Sequence, residues 1–500
     1  MSTAKKFAGQ TAIYGLSTIV SRTLYFILTP ILANILSVKV YGIFTKMYSW
    51  ASILGAMLSF GMETTYFRYL NKRSDSRDKV YANSFIAVLA MSVVFLTFSV
   101  LFSRPIALWL KTGNTNTVED YVFYVRCFIY ILTIDAICVI PFAKLRADNR
   151  PMRYAYIKFL NVVLVVSLNL FLLFGVPYII NNNLPGAAWM QQWYRLHWVG
   201  YVFLSNLVAS AFTLLMLLPE IFQIKLKFDK AILKEMLLYS FPILVANMSF
   251  IINENLDKLL LDKLLPQNIS EQEIGIYGAC AKIALFLSIF VQAFRLGAEP
   301  FFFSHAESKN SGQTYARIMN YFVIAICLIF VALIANIELL KYFIRASNPI
   351  QRELYWSGLK IVPVLLFGYI SLGIYMNLSV WYKLSDQTKY GLYISGIGAL
   401  LTIVLNIIFI PKYSYVASAW ISLAAYASMM ILSYLWGQKN YPIPYNVKKN
   451  LAYIISSVAI VYLSFVVFKR NIFIGNAMLL AYTGVAFYFE RKELMSIFKR

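Results

Sequence analysis

Apolar segments of twenty or more residues follow one another along almost the whole chain, separated by short charged or Gly-, Pro- and Asn-bearing breaks. A hydrocarbon core about 30 Å thick needs roughly 20 such residues per helical crossing. The backbone polar groups must be satisfied within the segment, which excludes irregular structure in contact with lipid. Only 13% of the residues are charged, whereas about a quarter are in soluble domains. The chain therefore reads as an all-α integral membrane protein, with no gap long enough to hold a separate soluble domain. Apolar runs place spans near 10–36, 41–67, 80–103, 119–143, 154–178, 197–219, 236–263, 275–303, 314–338, 354–380, 389–410, 413–437, 450–468 and 471–490, about 14 transmembrane helices in all. The first follows Lys5 and Lys6 and runs past Pro30 with no cleavage-site pattern. It is read as a span and not as a signal peptide.

Charge asymmetry sets the orientation. The N-terminus, the C-terminus and the loops on their side hold more than twice the Lys and Arg of the opposite loops, with clusters at Arg68, Lys72, Arg73, Arg77, Lys79 and at Lys144, Arg146, Arg150, Arg153. Both termini are thus expected in the cytoplasm. This topogenic role accounts for most of the net charge of +23 and leaves nothing that calls for nucleic acid. Trp189, Trp193 and Trp198 read first as an outer-interface aromatic belt, with sugar stacking as the alternative. Cys127, Cys138, Cys280 and Cys327 lie inside apolar segments without metal or redox spacing and read as small buried hydrophobes.

A gapless shift of 236 residues aligns Arg22 with Lys258, Pro30 with Pro266, Tyr41-Gly42 with Tyr277-Gly278, Lys46 with Lys282, Gly61 with Gly297 and Glu63 with Glu299. Apolar helices match Leu to Leu by chance, but seldom match ions that membranes make expensive. Spans 1 and 2 thus repeat as spans 7 and 8 in the same orientation, a parallel repeat about an axis along the membrane normal. The expected organisation is a six-helix bundle over 1–219, a cytoplasmic linker at 220–235, a second six-helix bundle over 236–437, and an appended helix pair with a cytoplasmic tail over 438–500. Two such bundles facing one another predict a cleft and alternating access.

Charged residues within spans cost about 2.5 to 3.5 kcal/mol or more at a helix centre, so they are expected to face protein or a wet cavity. The structural reading is ion pairing at four-residue spacing, Arg295 with Glu299 and Glu254 with Lys258. Arg22, Lys46 and Lys282 have no carboxylate within a turn and are better candidates for a ligand-facing surface. The cationic set is Arg22, Lys46, Lys258, Lys282 and Arg295. Cations outnumber carboxylates in the spans, which suits an anionic substrate such as a diphosphate. Glu63, Asp135, Glu254, Asp257 and Glu299 are candidates for coupling to a proton or sodium gradient, since a buried carboxylate takes up a proton or a cation readily.

Tyr239-Ser240-Phe241-Pro242, Leu256-Asp257-Lys258, Gly275-Ile276-Tyr277-Gly278, Ala281-Lys282-Ile283 and Glu299-Pro300-Phe301-Phe302-Phe303 resemble the span 7 and 8 pattern of bacterial polysaccharide flippases. These belong to the multidrug, oligosaccharidyl-lipid and polysaccharide exporter superfamily. The resemblance implies translocation of an undecaprenyl-diphosphate-linked oligosaccharide between inner-membrane leaflets for O-antigen, capsule or exopolysaccharide synthesis. It also implies membrane lipids, a polysaccharide polymerase and glycosyltransferases as partners, and a lipid portal between spans 1 and 8. Lys258 stands where family members often carry Arg, keeping the charge and losing the bidentate fork. The chain has no phosphate-binding loop of the GxxxxGK[ST] kind, in keeping with transport without ATP. A peptidoglycan-precursor flippase and a multidrug exporter are the alternatives within transporters. An integral-membrane glycan enzyme is disfavoured by short outer loops and by having only His197 and His305, so no enzyme activity, metal or cofactor is expected.

Overall fold

The computed structural model describes residues 28–498, apart from 226, 305–309 and 386. Every regular element among them is helical, and eleven helices are long and apolar enough to cross a membrane. The chain divides into two compact units at Gly278/Ala279.

The first unit contains α1 (Val38–Ser59), α2 (Met62–Lys72), α3 (Arg77–Leu101), α4 (Ser103–Leu110), α5 (Val118–Ala147), α6 (Pro151–Asn181), α7 (Ala187–Trp193), α8 (Gly200–Phe222), α9 (Lys230–Leu264) and the start of α10 (Ser270–Ser304). The expected second span breaks between α1 and α2, where Phe60 and Gly61 take φ of 48° and 66°. Gly61 suits that left-handed conformation because it has no Cβ. A side chain there would also meet Ile243 of α9 at 2.9 Å. The crossing α5 is bounded by signals in its own sequence. Thr117 and Asp120 form a reciprocal capping box, Glu119 and Asp120 occupy the first turn, and Lys144 and Arg146 the last. Each charge complements the helix dipole. Leu58, Met62, Tyr66, Tyr81, Val88, Leu132, Ile140 and Met236 close an apolar core that draws α9 onto α1, α3 and α5.

The second unit contains α11 (Ser311–Ala335), α12 (Pro349–Leu384), α13 (Lys389–Asn440), α14 (Val447–Val467) and α15 (Ile472–Phe498). At 1.5 Å per residue the 52 residues of α13 would run about 78 Å, far beyond one crossing. The backbone breaks at Ser414, with φ 50° and ψ −142°. The Ser418 hydroxyl donates to Asn406 Oδ1 at 2.9 Å, although residues twelve apart on a straight helix lie about 18 Å from one another. The chain therefore reverses at Ser414, and α13 supplies two crossings, as expected from 389–410 and 413–437.

The appended pair α14 and α15 packs on α11. Asn336 and Asn476 exchange amide hydrogen bonds at 3.1 Å, and a Cβ on Gly475 would lie 3.0 Å from Ser464 Oγ and 3.1 Å from Ala335 Cα. A large side chain fits poorly there. Gly475→Leu is expected to cost about 1 to 3 kcal/mol, read as a lower midpoint of thermal unfolding in detergent and faster proteolysis of the C-terminal pair.

Candidate functional site

Besides the Lys258–Asp257 pair, charged side chains of the first unit gather in two places. One is a buried cluster where α9 ends and α10 begins. Lys46 is wholly buried and donates to Asp262 Oδ1 at 2.8 Å, the Leu110 carbonyl at 2.8 Å and the Thr112 hydroxyl at 3.0 Å. Thr112 in turn donates to the same Asp262 oxygen at 2.6 Å. Next to it Glu271, in the first turn of α10, accepts from the Tyr121 hydroxyl at 2.8 Å and from Thr115 at 2.6 Å. Lys263 lies 3.7 Å from Asp262 and over the Trp109 ring.

This corrects the expectation for Lys46, which does not present its ammonium to a ligand-facing surface. Its partner comes from another helix, 216 residues along the chain, beyond any search for carboxylates within a turn. Asp262 and Glu271 are not among the sequence candidates. A signal for Asp262 does exist, as a carboxylate inside the seventh apolar segment beside Lys263.

The other place is a cavity of about 440 Å³ among α2, α5, α6 and α8. Glu63, Asp135, Arg146, Lys158, Asn161, Asn206, Ser210 and Thr213 line it. Arg146 is ion-paired with Glu63, Asn161 donates to Thr213 at 3.0 Å, and the Lys158 ammonium lies 4.1 Å from the Phe142 ring centre. Two carboxylates and two cations balance here, in a space large enough for several waters. Such a cavity can hold a proton or a small hydrated cation more readily than a diphosphate. Two of the five coupling candidates, Glu63 and Asp135, thus line the same cavity.

Lys258 donates to Asp257 Oδ1 at 3.0 Å and to the carbonyl oxygen of Glu254, and the Tyr277 hydroxyl donates to the other Asp257 oxygen. The expected Glu254 to Lys258 contact thus runs through the Glu254 backbone, and the ion pair is made with Asp257. Lys282 is partly buried and engaged in interactions. Arg295 is exposed and lines a small pocket with Asn377 and Lys383 in the second unit. Arg22 and the Glu299 side chain lie outside the described residues. At the end of α5 that carries the capping box, Arg195 grips Asp120 with bonds of 2.6 and 3.2 Å and Trp198 donates to it at 3.0 Å. That carboxylate raises the Arg195 guanidinium above its ordinary range. Trp189 and Trp193 remain exposed. The four cysteines are free and buried, and no group of three metal-ligating side chains occurs among the described residues.

Many apolar helices enclosing paired charges define a polytopic membrane protein. The solved structures agree. A lipid II flippase MurJ in an inward closed conformation superposes with TM-score 0.73 at 14% identity, covering 96% of this chain and 99% of the other. An inward-facing multidrug resistance MATE family transporter of the MOP superfamily gives 0.65 at 16% identity, with 89% and 99% covered. A MATE protein in its straight conformation gives 0.58 at 14% identity, with 87% and 95% covered. Among curated proteins no relative matches the sequence. The profile of the polysaccharide biosynthesis protein family matches residues 7–304, and that of the MatE family matches 242–408. The chain belongs to the polysaccharide biosynthesis protein family.

Proposed function

We propose that this transporter flips an undecaprenyl-diphosphate-linked oligosaccharide from the cytoplasmic to the outer leaflet of a bacterial inner membrane, by alternating access, for surface polysaccharide synthesis. The observation that carries the reading is the family match over residues 7–304. The cationic bias of the spans supports an anionic head, and the excess of basic residues beside both termini supports their cytoplasmic placement. Arg22, Lys258, Lys282 and Arg295 remain the cations proposed to meet the diphosphate. Lys46, wholly buried against Asp262, is not among them, whereas Lys258 keeps part of its side chain exposed beside Asp257. Asp135 in its cavity is the carboxylate proposed to couple transport to a proton or sodium gradient. A polymerase and glycosyltransferases are the expected partners on either side of the step.

The test is leaflet accessibility of a labelled lipid-diphosphate oligosaccharide in vesicles carrying the purified protein, with lipid II and a cationic dye as competing cargoes. Flipping of the oligosaccharide in preference to both is expected. Losing one charge-assisted contact costs about 1.5 to 3 kcal/mol, so Arg295→Ala combined with Lys282→Ala should slow flipping by at least about tenfold. An undiminished rate in that variant overturns the cationic grip, and preference for lipid II or the dye overturns the assignment of cargo.

A further inference from the structure

One group of cations runs against the charge asymmetry of the chain. Membrane topology favours few Lys and Arg on the outer side. Yet Lys341, Arg345 and Arg352 lie between the end of α11 and the first turns of α12, and Lys469 and Arg470 join α14 to α15. By the order of the spans both connections lie on the outer side. Residues 336–357 and 468–471 together hold only two acids, Glu338 and Glu353.

Folding of the second unit brings these cations together. Glu338 is ion-paired with Lys341 and, at 3.3 Å, with Arg470. Lys341 and Arg345 share the Tyr342 ring, lying 5.8 and 5.9 Å from its centre, and Lys341 and Arg352 share Trp356, at 4.4 and 5.4 Å. The two rings meet edge to face at 5.6 Å, and the Trp356 indole donates to the Lys341 carbonyl at 3.0 Å. Lys341 is thus the hub of the group. Arg345, Arg352 and Lys469 have no carboxylate partner among the described residues. Like charges gathered beside an apolar medium repel one another until an anion joins them.

The turn between α14 and α15 keeps its charges against backbone preference. Lys469 and Arg470 take φ of 48° and 64°, a left-handed conformation that suits Gly or Asn because a Cβ is unfavourable there. Making the turn gives no reason for two long cationic side chains. Bare apolar residues flank the group, with Phe473 84% exposed and Ile350 70%. Cations and aromatic rings at helix ends, next to bare apolar side chains, match the level of a bilayer where headgroup phosphates give way to acyl chains.

We propose that Lys341, Arg345, Arg352, Lys469 and Arg470 bind the phosphate headgroup of an anionic bilayer phospholipid at the outer end of α11, α12 and α15. The guanidinium groups offer paired donors to phosphate oxygens and the ammonium groups add point charge. The acyl chains stay in the bilayer against Ile350 and Phe473. Bound there, the lipid bridges the α11 to α12 connection and the turn of the appended pair, alongside the ion pair of Arg470 with Glu338. These cations are distinct from those proposed to meet the cargo, and the site does not depend on what is transported.

The test titrates the full chain, purified in a neutral detergent, with phosphatidylglycerol or with phosphatidylcholine of the same acyl chains, and counts bound lipid by native mass spectrometry. Tighter binding of phosphatidylglycerol is expected. A Lys or Arg at a charged lipid surface contributes about fivefold in affinity, so Arg345→Gln, Arg352→Gln and Lys469→Gln together should weaken phosphatidylglycerol binding at least about tenfold and leave phosphatidylcholine unchanged. Each single substitution should show its own share, so the result does not hang on the triple variant folding. Arg345→Lys, Arg352→Lys and Lys469→Arg in one protein keep the charges and should keep the binding. The control takes three exposed cations from the opposite end of the same unit, Lys439→Gln, Lys448→Gln and Arg491→Gln, with the same change in net charge and no expected loss. Equal affinity of the unaltered protein for the two lipids, or equal losses in the two Gln triples, overturns the site. A first triple that loses a lipid-diphosphate oligosaccharide while keeping phosphatidylglycerol also overturns it, since the patch would then hold cargo and not bilayer lipid.

Discussion

Asp262→Ala is expected to destabilise the protein by about 3 to 5 kcal/mol, more than the loss of any exposed ion pair in the chain. The substitution leaves the Lys46 ammonium fully buried, with no charged partner and with the Leu110 carbonyl and the Thr112 and Tyr121 hydroxyls to receive its protons. Removing one partner of a buried pair carries that penalty because the remaining charge is uncompensated. Exposed pairs such as Lys225 with Asp78 contribute about 0 to 1 kcal/mol. The discriminating comparison is Lys46→Met with Asp262→Leu in one protein. Removing both charges and filling the volume should recover most of the stability, as buried pairs replaced by apolar groups often do. Unfolding midpoints of the two single variants and the double variant in lipid nanodiscs measure the coupling. Equal losses in single and double variants would mean that volume, and not charge, governs this site.

Gly42→Ala, one added carbon, is expected to have an effect of similar size. Its Cβ would lie 1.8 Å from the Glu271 carbonyl oxygen and 2.8 Å from the carbonyl carbon. Backbone cannot swing aside as a flexible side chain can, so α1 and α10 must separate, and the polar ties beside them stretch. Overpacking costs typically about 1 to 3 kcal/mol, and a clash with main chain on both sides belongs at or above the top of that range. Gly396→Ala is the control. Nothing lies within 4 Å of the added carbon there, and in the middle of a helix Ala is favoured over Gly by about 0.5 to 1 kcal/mol. Yield of monodisperse protein and its thermal midpoint should fall sharply for the first and hold or rise for the second.

The helices were legible because length and hydropathy decide whether a segment crosses a bilayer. The reversal between 389–410 and 413–437 shows how far that reaches, since Pro411 and Lys412 mark the turn and Ser414 makes it. The family was legible too, from segments such as Leu256-Asp257-Lys258 and Ala281-Lys282-Ile283, in which charged residues stand in the middle of apolar sequence. The pairing of those charges was not. Lys46 lacks a carboxylate on its own helix, and only packing of α9 against α1 brings Asp262 to it. Glu63 meets Arg146, a cation at the far end of α5 that sequence alone assigns to topology. A search by helical periodicity sees neighbours three and four residues away, while the membrane interior selects partners across helices. The Tyr277 hydroxyl on Asp257 belongs to the same class, since neither residue's position predicts their meeting from spacing.

The turn at Ser414 carries one further implication. Its backbone angles suit glycine better than serine, and the two arms it joins are pinned twelve residues apart by Asn406 and Ser418, both fully buried. That contact opposes slippage of one arm past the other beside the turn. The hairpin is thereby held in register next to its turn, and any substitution that removes the Asn406 amide or the Ser418 hydroxyl strands a buried polar group between the arms.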